Sequence, residues 1–384
     1  MSNHQAWLSL IEFIRRHYQR SEGLIPLHAP CFDESEKRLV VDCIDSTFVS
    51  SVGQYVTEFE QQIADYTGAK HAVAVVNGTM GLYLALKVIG LQPNDLVITQ
   101  SLTFVATPNA IKMHQADPVF VDVERETLGL CPQSLNQFLT EQTHQQNGQC
   151  VHRQTGRVVR ACVPMHTLGF SARIDALLEI CNRHNLALVE DAAESLGSFY
   201  RGKHTGRFGQ LGVFSFNGNK VITTGGGGML ITDDAELARH AKHLSTTAKI
   251  PHAWLFEHDE PAYNLRMPNL NAALGVAQMQ KLPLFLAEKR RLALAYQQQP
   301  GLVVQAESPN TQANYWLNTL ICQDQTERDV FLEFSNTQAI QTRPLWTPMH
   351  QLPIYADCLR SELPNTEWLA ARVVNLPSGV KCHV

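Results

Sequence analysis

The feature that most constrains this chain is the alternation, through its middle, of short apolar runs with stretches of helical periodicity. Apolar runs fall at residues 71–76, 96–99, 118–121, 161–165, 186–189, 212–216 and 228–232. Between them, apolar residues recur with helical spacing at 81–89, 106–113, 174–182 and 235–244. Strand-length runs alternating with helices predict an α/β fold, a mostly parallel sheet with helices on both faces. In such folds, ligands gather where strands end and loops begin.

The rhythm breaks in two places. Residues 137–160 are polar and glutamine-rich, with turn signals at Asn147-Gly148 and Thr155-Gly156, and read as a surface insertion, a small hairpin. After about residue 250 a long helical stretch, 270–296, leads to a strand-like run at 315–322, which predicts a smaller α+β domain. The expected division is an N-terminal helix and arm at 1–34, a large domain at 35–250 and a small C-terminal domain at 251–384. A length of 384 residues is ample for such a core, and 44% apolar with 17% charged residues argues against disorder.

Net charge of −5 leaves no basic face of the kind nucleic acid requires. None of the nine cysteines forms a C-x-x-C pair and no histidines stand in H-E-x-x-H, so no metal is expected; scattered cysteines suit reduced thiols. The first residues, with apolar positions 7, 8, 10, 11 and 14 interrupted by charge, predict an amphipathic helix and not a signal peptide. No apolar run reaches membrane-spanning length, so the expectation is a cytoplasmic protein without a membrane partner.

Three short stretches carry chemistry. Residues 186–195 deliver Asp191 at the end of an apolar strand, followed by small residues. Such an acid can bind metal, cap a helix or hold a cofactor cation, and alone it is more often a cap than a catalyst. In residues 212–228 a strand ends at Ser215, Lys220 follows five residues later, and four glycines come next. A lysine held away from bulk water loses its proton more readily, as Schiff-base chemistry requires. Residues 75–82 pass from a strand through Asn77-Gly78-Thr79 into a helix, whose free N–H groups favour a phosphate. A phosphate turn, an acid and a lysine, each after a strand, are the groups needed to anchor pyridoxal 5′-phosphate (PLP) by its phosphate, ring nitrogen and aldehyde.

The ordered segments NGTMGL, TFVATPNA, PMHTLGF, EDAAESLG, FSFNGNK, TTGGGG and YNLRMPNLNAALG resemble the DegT/DnrJ/StrS nucleotide-sugar aminotransferases, over about residues 25–350. The resemblance implies a fold-type I PLP-dependent transferase, with Lys220 as the Schiff-base lysine and Asp191 on the pyridinium nitrogen. It implies that Thr79, the Gly78 backbone and Ser215 hold the phosphate, and that Phe104 stacks on the ring. Glu194 stands where relatives often carry glutamine beside the cofactor's phenolic oxygen. It further implies a homodimer with shared sites, in which the loop carrying Asn264 and Arg266 reaches into the neighbouring subunit's site and Asn264 touches the cofactor phosphate.

Within the family, the N-terminal helix, the run Cys43 to Gly53 and Thr342-Arg343-Pro344-Leu345-Trp346 resemble enzymes that aminate C4 of UDP-linked 4-keto-6-deoxy N-acetylhexosamines. Arg343, Arg266 and His258 are then candidates for the sugar diphosphate or the amino donor's carboxylate, both of which suit arginine's fork. Of the rivals, a sugar dehydratase of this fold carries histidine in place of Lys220. A non-catalytic homologue would lack some of Lys220, Asp191 and Thr79. A nicotinamide enzyme needs a fuller glycine fingerprint than Asn77-Gly78-Thr79.

Overall fold

The computed structural model describes residues 3–382. Seven strands form the main sheet: β1 His71–Val75, β2 Leu96–Gln100, β3 Asp117–Val121, β4 Val159–Val163, β5 Ala187–Asp191, β6 Leu211–Ser215 and β7 Gly228–Thr232. Their spatial order is β1-β7-β6-β5-β4-β2-β3. Neighbours from β6 through β3 run parallel, whereas β7 is antiparallel to both β1 and β6. The reversal follows from the connection. β6 and β7 are joined directly by the loop that carries Lys220, with no crossover helix to turn the chain round.

Successive strand residues face opposite sides, and both sides are apolar, as expected for a sheet covered on both faces. Val73, Val75, Val213 and Leu230 pack with Leu82, Leu86, Ile111 and Leu244. Those four come from helices α4 Gly78–Val88, α5 Ala106–Lys112 and α8 Ala235–Ser245. On the opposite side, Ala74, Phe214, Met229 and Ile231 meet Phe59 and Ile63 of α3 Gln54–Thr67 and Ala272 and Val276 of α9 Asn269–Gln297. Farther along that side, Leu135 of α6 Pro132–Gln142 and Leu177 of α7 Ile174–Arg183 cover Ile98, Val119 and Leu188.

The polar stretch after α6 is the expected hairpin, Thr143–Gln146 paired with Gln149–His152. Asn147 (φ 51°) and Gly148 (φ 76°) make its turn, both in the left-handed region that a two-residue hairpin turn demands. Helix α9 leads to a three-stranded antiparallel sheet of β8 Asn318–Ile321, β9 Arg343–Pro344 and β10 Val373–Leu376, in the order β8-β10-β9. Helix α1, Asn3–Tyr18, is amphipathic as read. It buries Trp7, Leu10, Ile11 and Ile14 against Leu292 and Tyr296 of α9, Leu320, Phe331 and Leu376. Cys31 and Cys382 are paired as a disulfide, Cα atoms 5.3 Å apart, whereas reduced thiols were expected throughout. Spacing in sequence gives no sign of that pair, which depends on the arm meeting the C-terminal segment. Among the described residues, no helix is long and apolar enough to cross a membrane.

Candidate active site

A cavity of about 300 Å³ opens at the C-terminal ends of β1, β5 and β6, and Gly78, Thr79, Phe104, Asp191, Glu194, Ser215 and Lys220 all line it. Its floor is set by the start of α4. The Asn77 side chain caps that helix by accepting the Met80 N–H at 2.8 Å. The cap starts the helix at Gly78, three residues before the periodicity indicated, and so puts Gly78 and Thr79 in the first turn. N–H groups there have no intrahelical acceptor and point outward toward an anion. Ser215 closes the same cradle, and a Cβ on Gly78 would lie 2.9 Å from Ser215 Cβ. A Cβ on Gly228 would lie 2.6 Å from the Asn77 carbonyl carbon. Only glycine fits at either position, and both backbones therefore approach the cradle closely.

Asp191 is the last residue of β5 and is 2% exposed. Thr107 Oγ1 donates to its Oδ2 at 2.6 Å and the Ala193 N–H to its Oδ1 at 3.1 Å. Burial pushes the carboxyl above its ordinary range, opposed by these two donors and by the charge of Lys220. The backbone that aims Asp191 is pinned by a buried pair below it. His166 Nε2 lies 2.9 Å from Glu190 Oε2, and Glu190 also accepts the N–H groups of Gly206, Phe208 and Gly209. His166 Nδ1 accepts from the Ala172 N–H, which leaves Nε2 as the protonated nitrogen. The His166 N–H in turn donates to the Asp191 carbonyl at 3.0 Å.

Lys220 projects into the cavity from the β6–β7 loop, its Nζ 3.3 Å from Glu194 Oε1 and 4.0 Å from the centroid of the Trp316 ring. Glu194 Oε2 accepts the Leu168 N–H at 2.8 Å, and Leu168 itself sits at φ 56°. Burial pushes the Glu194 carboxyl up to about 7, with Lys220 pulling the other way. Phe104 lies at the mouth, 48% exposed, its ring 6.2 Å from that of Trp346.

Trp316, in the segment before β8, is the wall residue that sequence reasoning missed. Its Nε1 donates to the Asn219 carbonyl at 2.6 Å, and its N–H donates to Asn314 Oδ1. Asn314 Nδ2 reaches the carbonyls of Glu194 and Leu196. From behind, the buried Lys289 donates to the carbonyls of Trp316 and Ser378. A tryptophan in an apolar run reads as core, and nothing in the sequence signals that it meets Lys220.

Four candidates lie elsewhere in the single chain. Asn264 and Arg266 run beside the end of β1, where the Val76 N–H donates to the Leu265 carbonyl, and Arg266 Nε donates to Asn264 Oδ1 at 2.9 Å. His258 Nδ1 is 2.7 Å from the Thr247 carbonyl. Arg343, in β9, donates to Asn336 Oδ1 and the Thr342 carbonyl. None of the four lines the cavity.

The residues present fit PLP. A helix start and two hydroxyls suit its phosphate, a buried and hydrogen-bonded carboxylate its ring nitrogen, and a shielded amine its aldehyde. Comparison with known proteins agrees. The chain is 35% identical over 356 residues to GDP-perosamine synthase of Escherichia coli O157:H7, covering 92% of this chain and 93% of that one. It is 34% identical over 363 residues to EpsN of Bacillus subtilis, provisionally named a pyridoxal phosphate-dependent aminotransferase, covering 92% and 91%. Among solved structures, the aminotransferase TlmJ of Streptoalloteichus hindustanus superposes with a TM-score of 0.84 at 27% identity, covering 93% and 94%. Residues 30–383 match the description of one family throughout. The chain therefore belongs to the DegT/DnrJ/EryC1/StrS aminotransferases, enzymes of PLP fold type I.

Proposed function

We propose that this chain moves an amino group from glutamate to C4 of a UDP-linked 4-keto-6-deoxy sugar. The observation that carries the aminotransferase reading is the convergence of Lys220, Asp191 and the Gly78–Thr79–Ser215 cradle on one cavity. Bound there, PLP supplies an electrophilic carbon and a ring that withdraws electrons. Asp191, fixed by Thr107 and Ala193, holds a proton on the ring nitrogen. Lys220, as an amine, would take the proton from the donor's α-carbon and deliver it to the cofactor's C4′, and later run the transfer in the reverse sense to the sugar carbon. Trp316 covers one side of Nζ and keeps water away from it.

The nucleotide reading rests on the resemblance of Cys43 to Gly53, Thr342 to Trp346 and the N-terminal helix to UDP-sugar enzymes. The 35% identity to a GDP-perosamine synthase weighs for GDP. Incubation with glutamate and a panel of UDP-, GDP- and dTDP-linked 4-keto-6-deoxy sugars, with release of 2-oxoglutarate as readout, decides between them. Turnover of the GDP sugars alone would replace UDP in this reading.

A homodimer with shared sites is the second part of the proposal. Ile44, Phe48 and Val52, with Trp254 and Phe256, are 56–79% exposed in the single chain. Apolar side chains so exposed, gathered in two short segments, support burial by a second copy. Arg266, His258 and Arg343, outside the cavity of their own chain, remain the candidates for the sugar diphosphate or the donor carboxylate.

A further inference from the structure

We propose that Glu194 is the proton partner of Lys220: the pair shares one proton, held on Nζ as ammonium–carboxylate or on oxygen as amine–carboxylic acid. This deepens the aminotransferase reading and rests on it. Transfer breaks one N–H bond and forms one O–H bond, and the pair stays neutral overall in both forms. The geometry leaves Glu194 one free oxygen and aims it. Oε2 is taken by the Leu168 N–H at 2.8 Å, and Oε1 faces Nζ at 3.3 Å. Both side chains are shielded, Glu194 1% and Lys220 13% exposed, which favours an internal acceptor over bulk water.

The other charged groups facing the pair do not compete. Asp191, from the end of β5, is engaged by Thr107 and Ala193. His166 is engaged by Glu190. His28, from the N-terminal arm, has both ring nitrogens buried without a partner, and burial with Lys289 and Lys220 holds it well below its ordinary value, hence neutral. Lys289 is committed to carbonyls. Burial pushes the Glu194 carboxyl up to about 7, which equips that oxygen to take a proton near neutral pH. A glutamine at this position accepts from Leu168 equally well but takes no proton.

The test uses cofactor-free full-length protein. Covalent capture of PLP by Lys220, which requires the amine, is followed by absorbance between about pH 5 and pH 10 for wild type, Glu194→Gln and Glu194→Asp. Without the carboxylate that favours the ammonium, Glu194→Gln reaches half-maximal capture rate about one pH unit lower, roughly a tenfold faster capture on the acid limb. Glu194→Asp, which keeps the charge, stays nearer wild type and serves if the glutamine variant melts early. A Glu194→Gln profile that superimposes on wild type overturns the proposal, because loss of a merely structural contact does not move the profile along the pH axis. If wild type captures PLP at no pH, or Lys220→Ala captures it as well, the aminotransferase reading fails and this proposal with it.

Discussion

The Trp316 ring lies 4.0 Å from Lys220 Nζ, and the same tryptophan donates through Nε1 to the carbonyl of Asn219, the residue just before that lysine. One side chain thus sets both the position of the amine and the course of the backbone that presents it. The bond to the Asn219 carbonyl, with the ring's packing against the lysine, contributes about 1–2 kcal/mol to holding that loop in place. Trp316→Ala is expected to lower turnover roughly 5- to 30-fold, with Trp316→Phe intermediate because it keeps a ring and loses the Asn219 bond. Steady-state rates for the two variants check the order, and equal rates for wild type and Trp316→Ala would remove the residue from the site.

Lys220 and Asp191 should fail in different ways. Lys220→Ala is expected to fold and to lose turnover entirely, because the amine proposed to link to the cofactor and move the proton is gone. Asp191→Asn keeps the shape but removes the charge proposed to hold the ring nitrogen protonated. Its loss should fall on the proton-transfer step and leave substrate affinity nearly unchanged. Single-turnover absorbance with glutamate separates the two, and a normal rate for Asp191→Asn speaks against the pyridinium role.

Glu194 should also leave a mark on stability without cofactor. Its carboxyl rises from 4.5 to about 7 on folding, mainly by burial. At ~1.4 kcal/mol for each pH unit, the fold favours the protonated form by about 3 kcal/mol. For an acid raised on folding, that contribution is complete below the unfolded value and is lost as pH rises through the folded one. Relative to Glu194→Gln, wild type should therefore lose up to about 3 kcal/mol between pH 4.5 and pH 7.5. Denaturant unfolding of the cofactor-free proteins across that range provides the measurement. Parallel stability curves for the two proteins would place the Glu194 carboxyl in an ordinary, solvated environment.

What could be read from the sequence follows the range of the forces involved. The strands of the main sheet and most of its helices are local patterns, and so were legible, as was the hairpin turning at Asn147-Gly148. Asp191 and Ser215 are the last residues of their strands and Lys220 follows in the next loop, where an α/β fold must gather its ligands, so local position located them too. Trp316 and Lys289 became site components only through contacts between segments far apart in sequence, which periodicity does not encode. The cap of α4 by Asn77 moved the helix start by three residues, because one side-chain hydrogen bond outweighs the weak helical preference of Gly78 and Thr79. Glu194 was visible as an acid, but its pairing depends on the left-handed turn at Leu168, which aims a backbone N–H at it.

The proposed sharing of sites between subunits has a direct genetic signature. Asn264 and Arg266 bond to each other, beside the end of β1 and outside their own chain's cavity. In an isologous dimer each chain lends this segment and receives its partner's. Take Lys220→Ala in one chain and the double change Asn264→Ala with Arg266→Ala in the other, each inactive as a homodimer. In a mixed dimer, one site carries both defects, while the other takes its lysine from one chain and its segment from the other, and is intact. Random re-mixing of equal amounts makes half the dimers mixed, so about a quarter of all sites should recover. Activity is measured after subunit exchange, verified with differently tagged chains. If the segment serves its own chain's site, both sites of the mixed dimer stay defective and mixing restores nothing, so verified exchange without recovery rejects the shared site.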